Sequence, residues 1–192
     1  MMLKRMTLVA VGMLALASVT GVLSAKDAKV KSDYSSDQRE YYLSEKFIAF
    51  IRPGLEVTIH DVSIPSDRRP EVLFTITDPM GQPLDRDGVV TPGPVSTSFI
   101  LSYIPEGEEA YVAYTTRVQT SPITGDSAEQ ATSDSGGEYT TDEVGTYLYK
   151  FGTELPSDYP ADATHTLGMY ARRDLTEFGL DRYVDNPLEH FV

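Results

Sequence analysis

Apolar and polar residues alternate along most of the chain between residues 55 and 173, with the period of two that is typical of β-strands. In the first such segment, Leu55, Val57 and Ile59 are each separated by a polar residue, so one face of the strand is apolar. Turns rich in Gly, Pro and Asp separate the segments. The pattern predicts strands at residues 55–62, 71–77, 96–104, 110–119, 130–133, 138–140, 146–153 and 164–173. About seven strands at this spacing indicate two packed antiparallel sheets, an all-β sandwich of immunoglobulin-like type.

The first 25 residues have the pattern of a secretory signal peptide. Two basic residues precede the apolar run 7–22, and small residues up to Ala25 offer a cleavage site. An N-terminal membrane anchor is the alternative interpretation. A lipoprotein is excluded, because Lys26 stands where a lipid-bearing cysteine would follow the cleavage site. We therefore expect an exported protein.

Residues 26–46 are predicted to be a flexible or helical lead-in to a β domain that spans residues 47–192. Ser35 and Gln38 have the spacing of a capping box, which predicts a short helix from Asp37 to Phe47.

One local motif supports the immunoglobulin-like fold. Glu143, Gly145, Tyr147 and Tyr149 have the spacing of the tyrosine corner, in which a core tyrosine bonds the backbone where a strand enters the sandwich. Tyr149 occupies the position that antibody domains give to a cysteine. Ordinary alternation of tyrosines on a buried face is the alternative, and it predicts the same sandwich.

Charge and cysteine content exclude several functions. The formal net charge is −13, which argues against binding to nucleic acid or to anionic membrane surfaces and favours cations or basic partners. The chain has no cysteine, so it has no disulfides, thiolate metal sites or thiol nucleophile. For the same reason it lacks C-x-x-C-H, the signature of covalent haem attachment.

A set of segments in fixed order gives the sequence a family resemblance over residues 47–192. These segments are FIRPGLEVTI, VLFTITDPMGQPLDRDGV, TPGPVSTSFILSYIP, YVAYTTRVQTSPITG, QATSDSGG, GTYLYKF and THTLGMYARRDLTEF. Together they resemble the N-terminal β domain of the outer-membrane multihaem (decahaem) c-type cytochromes of the OmcA/MtrC type. The resemblance implies a haem-free immunoglobulin-like or split-barrel domain, with haem c bound only by a C-terminal region that this chain lacks.

The same resemblance implies a function and a location. The chain would be a structural or docking domain of a cytochrome that passes electrons to metals or shuttles outside the cell. Its implied partners are the haem-bearing domain of the same full-length protein and outer-membrane electron-conduit proteins, and no nucleic acid. Its implied location is the outer-membrane surface or the exterior, with the periplasm as the alternative. The chain ends about where that family's haem region begins, so we interpret it as a fragment.

Three histidines are the first candidates for chemistry. His60 ends the polar face of the first strand, and no second ligand lies at metal-binding spacing, which favours a surface histidine. His165 is in phase with Leu167 and Met169, which favours a partly buried, hydrogen-bonded edge residue over a catalyst. His190 could supply a distal haem ligand in a longer protein, although a structural role is favoured.

Two charged segments are the other candidates. Asp85, Asp87 and Gly88 have the beginning of a calcium loop but lack its later ligands, so a turn is the default. Arg172 and Arg173 lie on opposite faces of a strand, and a structural ion pair is favoured over a binding clamp.

No catalytic, cofactor or metal site is therefore predicted in this chain, and we do not expect an enzyme. There is no G-x-S-x-G elbow, no convincing Ser-His-Asp set and no phosphate-binding glycine loop. The alternative function is a stand-alone secreted β-sandwich for binding or adhesion, with the long loop at 83–94 displaying the contacts.

Overall fold

The computed structural model describes residues 34–192, which fold into a β-sandwich with a short helical segment before the first strand. The predicted signal peptide, residues 1–25, and the first part of the predicted lead-in lie outside these described residues. Within residues 34–192, no helix has the length and apolar character needed to cross a membrane.

Strands make up most of the regular structure in the described part of the chain. One α-helix, α1, spans Glu45–Ile51, and two 3-10 helices span Arg39–Tyr42 and Thr176–Phe178. The strands are β1 (Glu56–Ser63), β2 (Glu71–Thr77), β3 (Val95–Tyr103), β4 (Val112–Ala113), β5 (Thr116–Thr120), β6 (Ser127–Ala131), β7 (Glu138–Glu143), β8 (Thr146–Lys150), β9 (His165–Asp174), β10 (Arg182–Asp185) and β11 (Leu188–Phe191).

Two antiparallel sheets pack face to face and do not close into a barrel. The first has the strand order β1-β2-β8-β7, and the second has the order β10-β9-β3-β4, with β11 also paired to β9. β5 and β6 form a separate two-stranded ribbon. The prediction of an all-β sandwich is confirmed, although the strands number eleven in the described residues rather than about seven.

Aromatic side chains from both sheets join in one core. Phe74 of β2 and Phe99 of β3 are almost fully buried and pack edge to face, with ring centroids 5.6 Å apart. Phe99 also stacks on Tyr149 of β8 at 4.2 Å. Since full burial of one such side chain contributes roughly 1.5–3 kcal/mol, this cluster is a major joint between the sheets.

The tyrosine motif lies at the entry to β8, as the spacing predicts. The hydroxyl of Tyr147 donates to the carbonyl of Leu84 at 3.1 Å and accepts from the N–H of Arg86 at 2.8 Å and of Gly145 at 3.3 Å. It therefore bonds the backbone at its own strand entry, and it also fixes the start of the 83–94 loop.

The helix predicted from Asp37 to Phe47 is wrong in its position. Gln38 has extended backbone angles, and its side-chain oxygen accepts from the N–H of Ser35 at 2.8 Å, so the capping-box spacing closes a turn instead. The α-helix begins only after Ser44, whose hydroxyl oxygen accepts from the N–H of Phe47 at 3.3 Å.

Two strand predictions also need correction. The single strand predicted at 110–119 is divided, because β4 pairs with β3 for two residues and the chain then leaves the sheet to pair with β6 as β5. β10 and β11 are not indicated by the sequence pattern, since four residues are too few to establish a period. Pro187, which has no N–H, separates them along the same edge of β9.

Arg173 of β9 is completely buried, which is rare for a charged side chain. Its guanidinium donates to the carbonyls of Ile51 at 2.7 Å, Arg52 at 2.5 Å and Gly54 at 3.0 Å. It also donates twice to the carbonyl of Pro92, at 2.5 and 3.2 Å. Burial lowers the pKa of Arg173 to about 10, so the side chain stays charged at neutral pH.

The ion pair predicted for the two arginines is wrong. Among the side chains that the structure describes, which leave out those of residues 141 and 142, no carboxylate forms an ion pair with Arg173 or with the exposed Arg172, and Asp174 pairs with Arg182 at 2.7 Å instead. Carbonyl oxygens near the C-terminal end of a helix carry partial negative charge and lack partners within the helix. The carbonyl oxygens at the end of α1 therefore supply Arg173 with the negative charge and hydrogen-bond acceptors that a carboxylate would otherwise provide.

Arg173 ties two peripheral segments to the sandwich, the end of α1 and the 83–94 loop. Beside it, Ile51, Leu175 and Leu180 form a second, smaller core in which all three side chains are fully buried. Gly93 has a φ of +80°, and a Cβ there would lie 2.3 Å from a methyl carbon of Leu175. Only glycine lets the loop approach this closely.

Asp134 makes a comparable tie at the other end of the core. Its carboxylate accepts from the hydroxyl of Tyr149 at 2.7 Å and from the N–H groups of Gly152 at 3.0 Å and Thr153 at 2.9 Å. Its own N–H donates to the carbonyl of Phe99 at 2.8 Å. Burial opposes the charged form, but the hydrogen bonds from Thr153, Tyr149 and Gly152 outweigh it and lower the pKa of Asp134.

Replacing Arg173 with leucine is expected to lower the free energy of unfolding by about 3–5 kcal/mol, because four buried carbonyls lose their charged donor. Urea denaturation of the purified protein measures this change. Arg172→Leu is the matched control on the exposed face of the same strand, and it should change the stability by no more than about 0.5 kcal/mol. Equal effects of the two substitutions would contradict the assignment.

Acid is expected to destabilise the protein partly through Asp134. In the unfolded chain the carboxyl of Asp134 binds a proton near pH 3.9, whereas in the native protein it binds one only at a lower pH. Its contribution to stability is therefore present above about pH 4 and is lost as the pH falls toward the native pKa. Asp134→Asn should lower the stability at pH 7 by about 1–3 kcal/mol and flatten the acid limb, measured by urea denaturation from pH 7 downward. The exposed Asp158→Asn serves as control, and an unchanged acid limb in Asp134→Asn would refute this role.

Candidate functional site

A cleft of about 670 Å³ lies between the helical segment and the end of the sandwich where β1 begins. This volume is in the range of small-molecule sites, about 300–1,000 Å³. The helical segment and residues 52–54 form one wall, and the turn after β2 together with β10 forms the other. The side chains that define it include Ile48, Arg52, Leu55, Asp78, Met80 and Tyr183.

The first wall of the cleft is held from behind by Arg173. The carbonyls of Arg52 and Gly54 point to its guanidinium, while the same two residues line the cleft. Gly54 has a φ of +110°, and a Cβ there would lie 2.4 Å from a ring carbon of Pro79 on the opposite wall. The two walls therefore touch at this point.

A buried carboxylate closes one end of the cleft. Glu40 of the first 3-10 helix is 7% exposed and accepts a hydrogen bond from the hydroxyl of Tyr183 on β10. Burial raises the pKa of Tyr183, and the bond to Glu40 raises it further. The phenol therefore stays protonated and works as a donor that fastens the helical segment to β10.

Asp78 and Arg52 organise the other end. One carboxylate oxygen of Asp78 accepts from the N–H groups of Met80 at 3.0 Å and Gln82 at 2.9 Å, which shapes the turn after β2. Its second oxygen lies 4.0 Å from Nε of Arg52. Arg52 in turn donates from Nη2 to the carbonyl of Pro83 at 2.8 Å. These polar groups serve the protein's own structure.

The lining of the cleft is mostly apolar, with three carboxylates and one cation. Among the described residues that line it there is no histidine, serine, threonine or lysine. Glu40, Glu56 and Asp78 outnumber the single cation, Arg52, and disfavour an anionic ligand. A ligand with an apolar body and a neutral or cationic end group fits this surface.

The sequence pattern does not predict this cleft. Nothing in the spacing of Glu40 and Tyr183 along the chain indicates that they meet. Their contact depends on β10, a strand too short to be predicted.

His165 is more deeply buried than the alternation indicated, with 1% of its surface exposed. Its Nδ1 lies 2.9 Å from the carbonyl of Ala163 and its Nε2 lies 2.8 Å from the hydroxyl of Tyr114. The carbonyl can only accept, so Nδ1 carries the proton and the tyrosine donates to Nε2. Burial lowers the pKa of His165, which keeps the ring neutral. The prediction of a hydrogen-bonded residue is confirmed, but the predicted partial burial and edge position are wrong, because His165 is paired with Tyr103 on one side and with Phe191 on the other.

The other two histidines are exposed, and neither lines the cleft. His60 is exposed and its Nε2 lies 3.0 Å from the hydroxyl of Thr75, which confirms a surface histidine. His190 is exposed on β11, and its Nδ1 lies 2.8 Å from the hydroxyl of Thr166. Among the described side chains of residues 34–140 and 143–192, no three acidic or histidine groups gather closely enough to hold a metal ion.

The acidic loop at Asp85 is a turn, as its composition predicted. The carboxylate of Asp85 accepts from the N–H groups of Asp87 at 3.1 Å, Val89 at 2.5 Å and Val90 at 2.8 Å. Burial opposes the charge, but these bonds outweigh it and lower the pKa of Asp85. The carboxylate therefore satisfies its own loop.

Comparison with known proteins gives a fold relationship. No protein-family model matches the chain, and no curated protein matches its sequence. The structure of the outer membrane decahaem cytochrome OmcA is similar to it with a TM-score of 0.51 and 16% identity, over 72% of this chain and 22% of that one. MtrC from Shewanella baltica OS185 aligns with a TM-score of 0.47 and 17% identity, over 73% of this chain and 22% of that one. The chain thus spans about a fifth of the length of these cytochromes, and it shares a β-sandwich fold with part of OmcA.

Proposed function

We propose that this chain is a haem-free β-sandwich domain of an exported multihaem c-type cytochrome. The observation that carries the proposal is the fold likeness to a decahaem outer-membrane cytochrome. The matching part makes up 22% of that cytochrome's chain. The ordered resemblance of the sequence segments to that family supports the same assignment. The lack of cysteine agrees with it, since this part of the protein cannot attach haem through C-x-x-C-H.

In such a protein this domain has a structural role. Electron transfer to metals or shuttles belongs to the haem-bearing region, and the sandwich positions that region and presents a surface to partners in the outer membrane. A net charge of −13 favours basic partner surfaces or cations at the cell exterior. The small core under α1 and the buried Arg173 give the domain a rigid frame for this task.

The genomic DNA that follows the codon for Val192 is expected to continue in frame and encode several C-x-x-C-H motifs. Sequencing this region tests the proposal, and expression of the longer protein should yield the absorbance of covalently bound haem c. A stop codon directly after Val192, or a long continuation without cysteine, would contradict the proposal.

The cleft favours one other function, a β-sandwich domain that binds a ligand with an apolar body. The 83–94 loop, which the sequence suggested would display binding contacts, supports this function less in the folded structure. Leu84, Asp85 and Thr91 are buried, and the large exposed apolar side chains of the loop are Val89 and Val90.

Filling the cleft tests the binding function. We expect the neutral dye Nile red to gain fluorescence on the purified protein, and Ala49→Trp to abolish the gain because Ala49 lines the cleft. Phe50→Trp is the matched control at the next position of α1. Phe50 does not line the cleft, and 63% of its surface is exposed. Equal fluorescence in both variants would exclude the cleft as the dye site.

A further inference from the structure

The ribbon of residues 116–131, here called the arm, stands apart from both sheets. β5 and β6 pair extensively only with each other among the described elements. Every residue of the arm is exposed except Ser121, which is half-buried. A two-stranded hairpin with no covered face is marginally stable in water. The arm therefore has the properties of an element that gains stability from a partner.

The arm is anchored at its root and apolar at its tip. The hydroxyl of Thr115 donates to the carbonyl of Thr132 at 2.6 Å, and the N–H of Thr132 donates back to the carbonyl of Thr115 at 3.0 Å. At the tip, Ile123 is 92% exposed, and halfway along β5 the side chain of Val118 is 70% exposed. These two side chains leave apolar surface in water at fixed places on the ribbon.

An apolar groove of about 360 Å³ lies at the root of the arm. It is bordered by Tyr111 and Ala113 just before the arm, by Ala131 at its end, and by Ile100 and Leu188 of the second sheet. None of its nine lining residues is Asp, Glu, Lys or Arg. In a chain of net charge −13, this is a surface that a second copy can approach without repulsion.

We propose that two copies of the chain associate about a two-fold axis, with their arms side by side and antiparallel. A two-fold contact is reciprocal, so the same surface must carry both the inserting group and its receptor. The arm meets this requirement, because its tip and the groove lie at its opposite ends. In the antiparallel arrangement the tip of each arm, with Ile123, lies at the groove of the other copy.

Charge decides which strands meet. Antiparallel pairing of β5 with β5 of the second copy, centred on the axis, places Val118 opposite its own counterpart and Arg117 opposite Gln119. The equivalent pairing of β6 places Glu129 opposite Glu129, and like charges directly opposite each other are destabilising. The pairing through β5 is therefore favoured.

The size of the contact surface is adequate for a dimer. The part of the arm that faces the second copy, residues 116–126, has eleven residues, and the groove has nine. These twenty residues lie at the lower end of the range of about 20–30 per partner that stable interfaces contain. Arg117 and Asp126 are the only Lys, Arg, Asp or Glu residues among them.

Sedimentation velocity over a series of protein concentrations tests the dimer. The unaltered protein should shift from monomer to dimer as the concentration rises, and Ile123→Asp should raise the dissociation constant at least about tenfold, because a carboxylate would enter an uncharged groove. Val89→Asp, at an equally exposed valine outside the arm and groove, is the control for the added charge. A protein that stays monomeric throughout, or equal dimerisation by the two variants, would overturn the proposal.

A second measurement locates the axis. Because the chain has no cysteine, Val118→Cys introduces a single thiol, and oxidised glutathione should convert the variant into a disulfide-linked dimer. Val89→Cys under the same conditions should remain largely monomeric. Circular dichroism checks that both variants are folded. Crosslinking of Val118→Cys that is no faster than that of Val89→Cys would exclude pairing through β5.

Discussion

The buried guanidinium of Arg173 is the interaction on which the arrangement of the described domain depends most. A charge this deep costs several kcal/mol unless its donors are satisfied, and here four carbonyls from two segments satisfy them. The same bonds fix the end of α1 and the 83–94 loop to β9. The position of the cleft wall follows, because Arg52 and Gly54 face the arginine with their carbonyls and the cleft with their other atoms.

The sequence predicted those parts of the fold that follow from local periodicity and failed where long-range contacts decide. Strands such as Glu71–Thr77 have clear alternation and were placed correctly. The start of α1 was misplaced because Ser35 and Gln38 have the right spacing but close a different turn. The role of Arg173 could not be predicted either, since its carbonyl partners lie at sequence separations of 81 to 122 residues.

The candidate sites show the same division. The Asp85 loop was interpreted correctly as a turn from its Asp and Gly content, because such turns are made by local bonds. The cleft was missed because Glu40 and Tyr183, 143 residues apart, meet only in the folded chain. The absence of cysteine, by contrast, is visible directly and limits the function of this chain as strongly as any contact. The supporting role that we propose for this chain rests on this absence and on the fold likeness.

Native-state hydrogen exchange tests most directly whether Arg173 makes the helical segment part of the sandwich. The N–H of Arg52 donates to the carbonyl of Ile48 at 2.7 Å at the end of α1. If Arg173 makes the helical segment part of the sandwich, this amide and its neighbours in α1 are protected to within about tenfold of the amides in β3 and β9, because they open only with the whole domain. Exchange of the α1 amides near the rate of an unstructured peptide, while β3 and β9 stay protected, would contradict it.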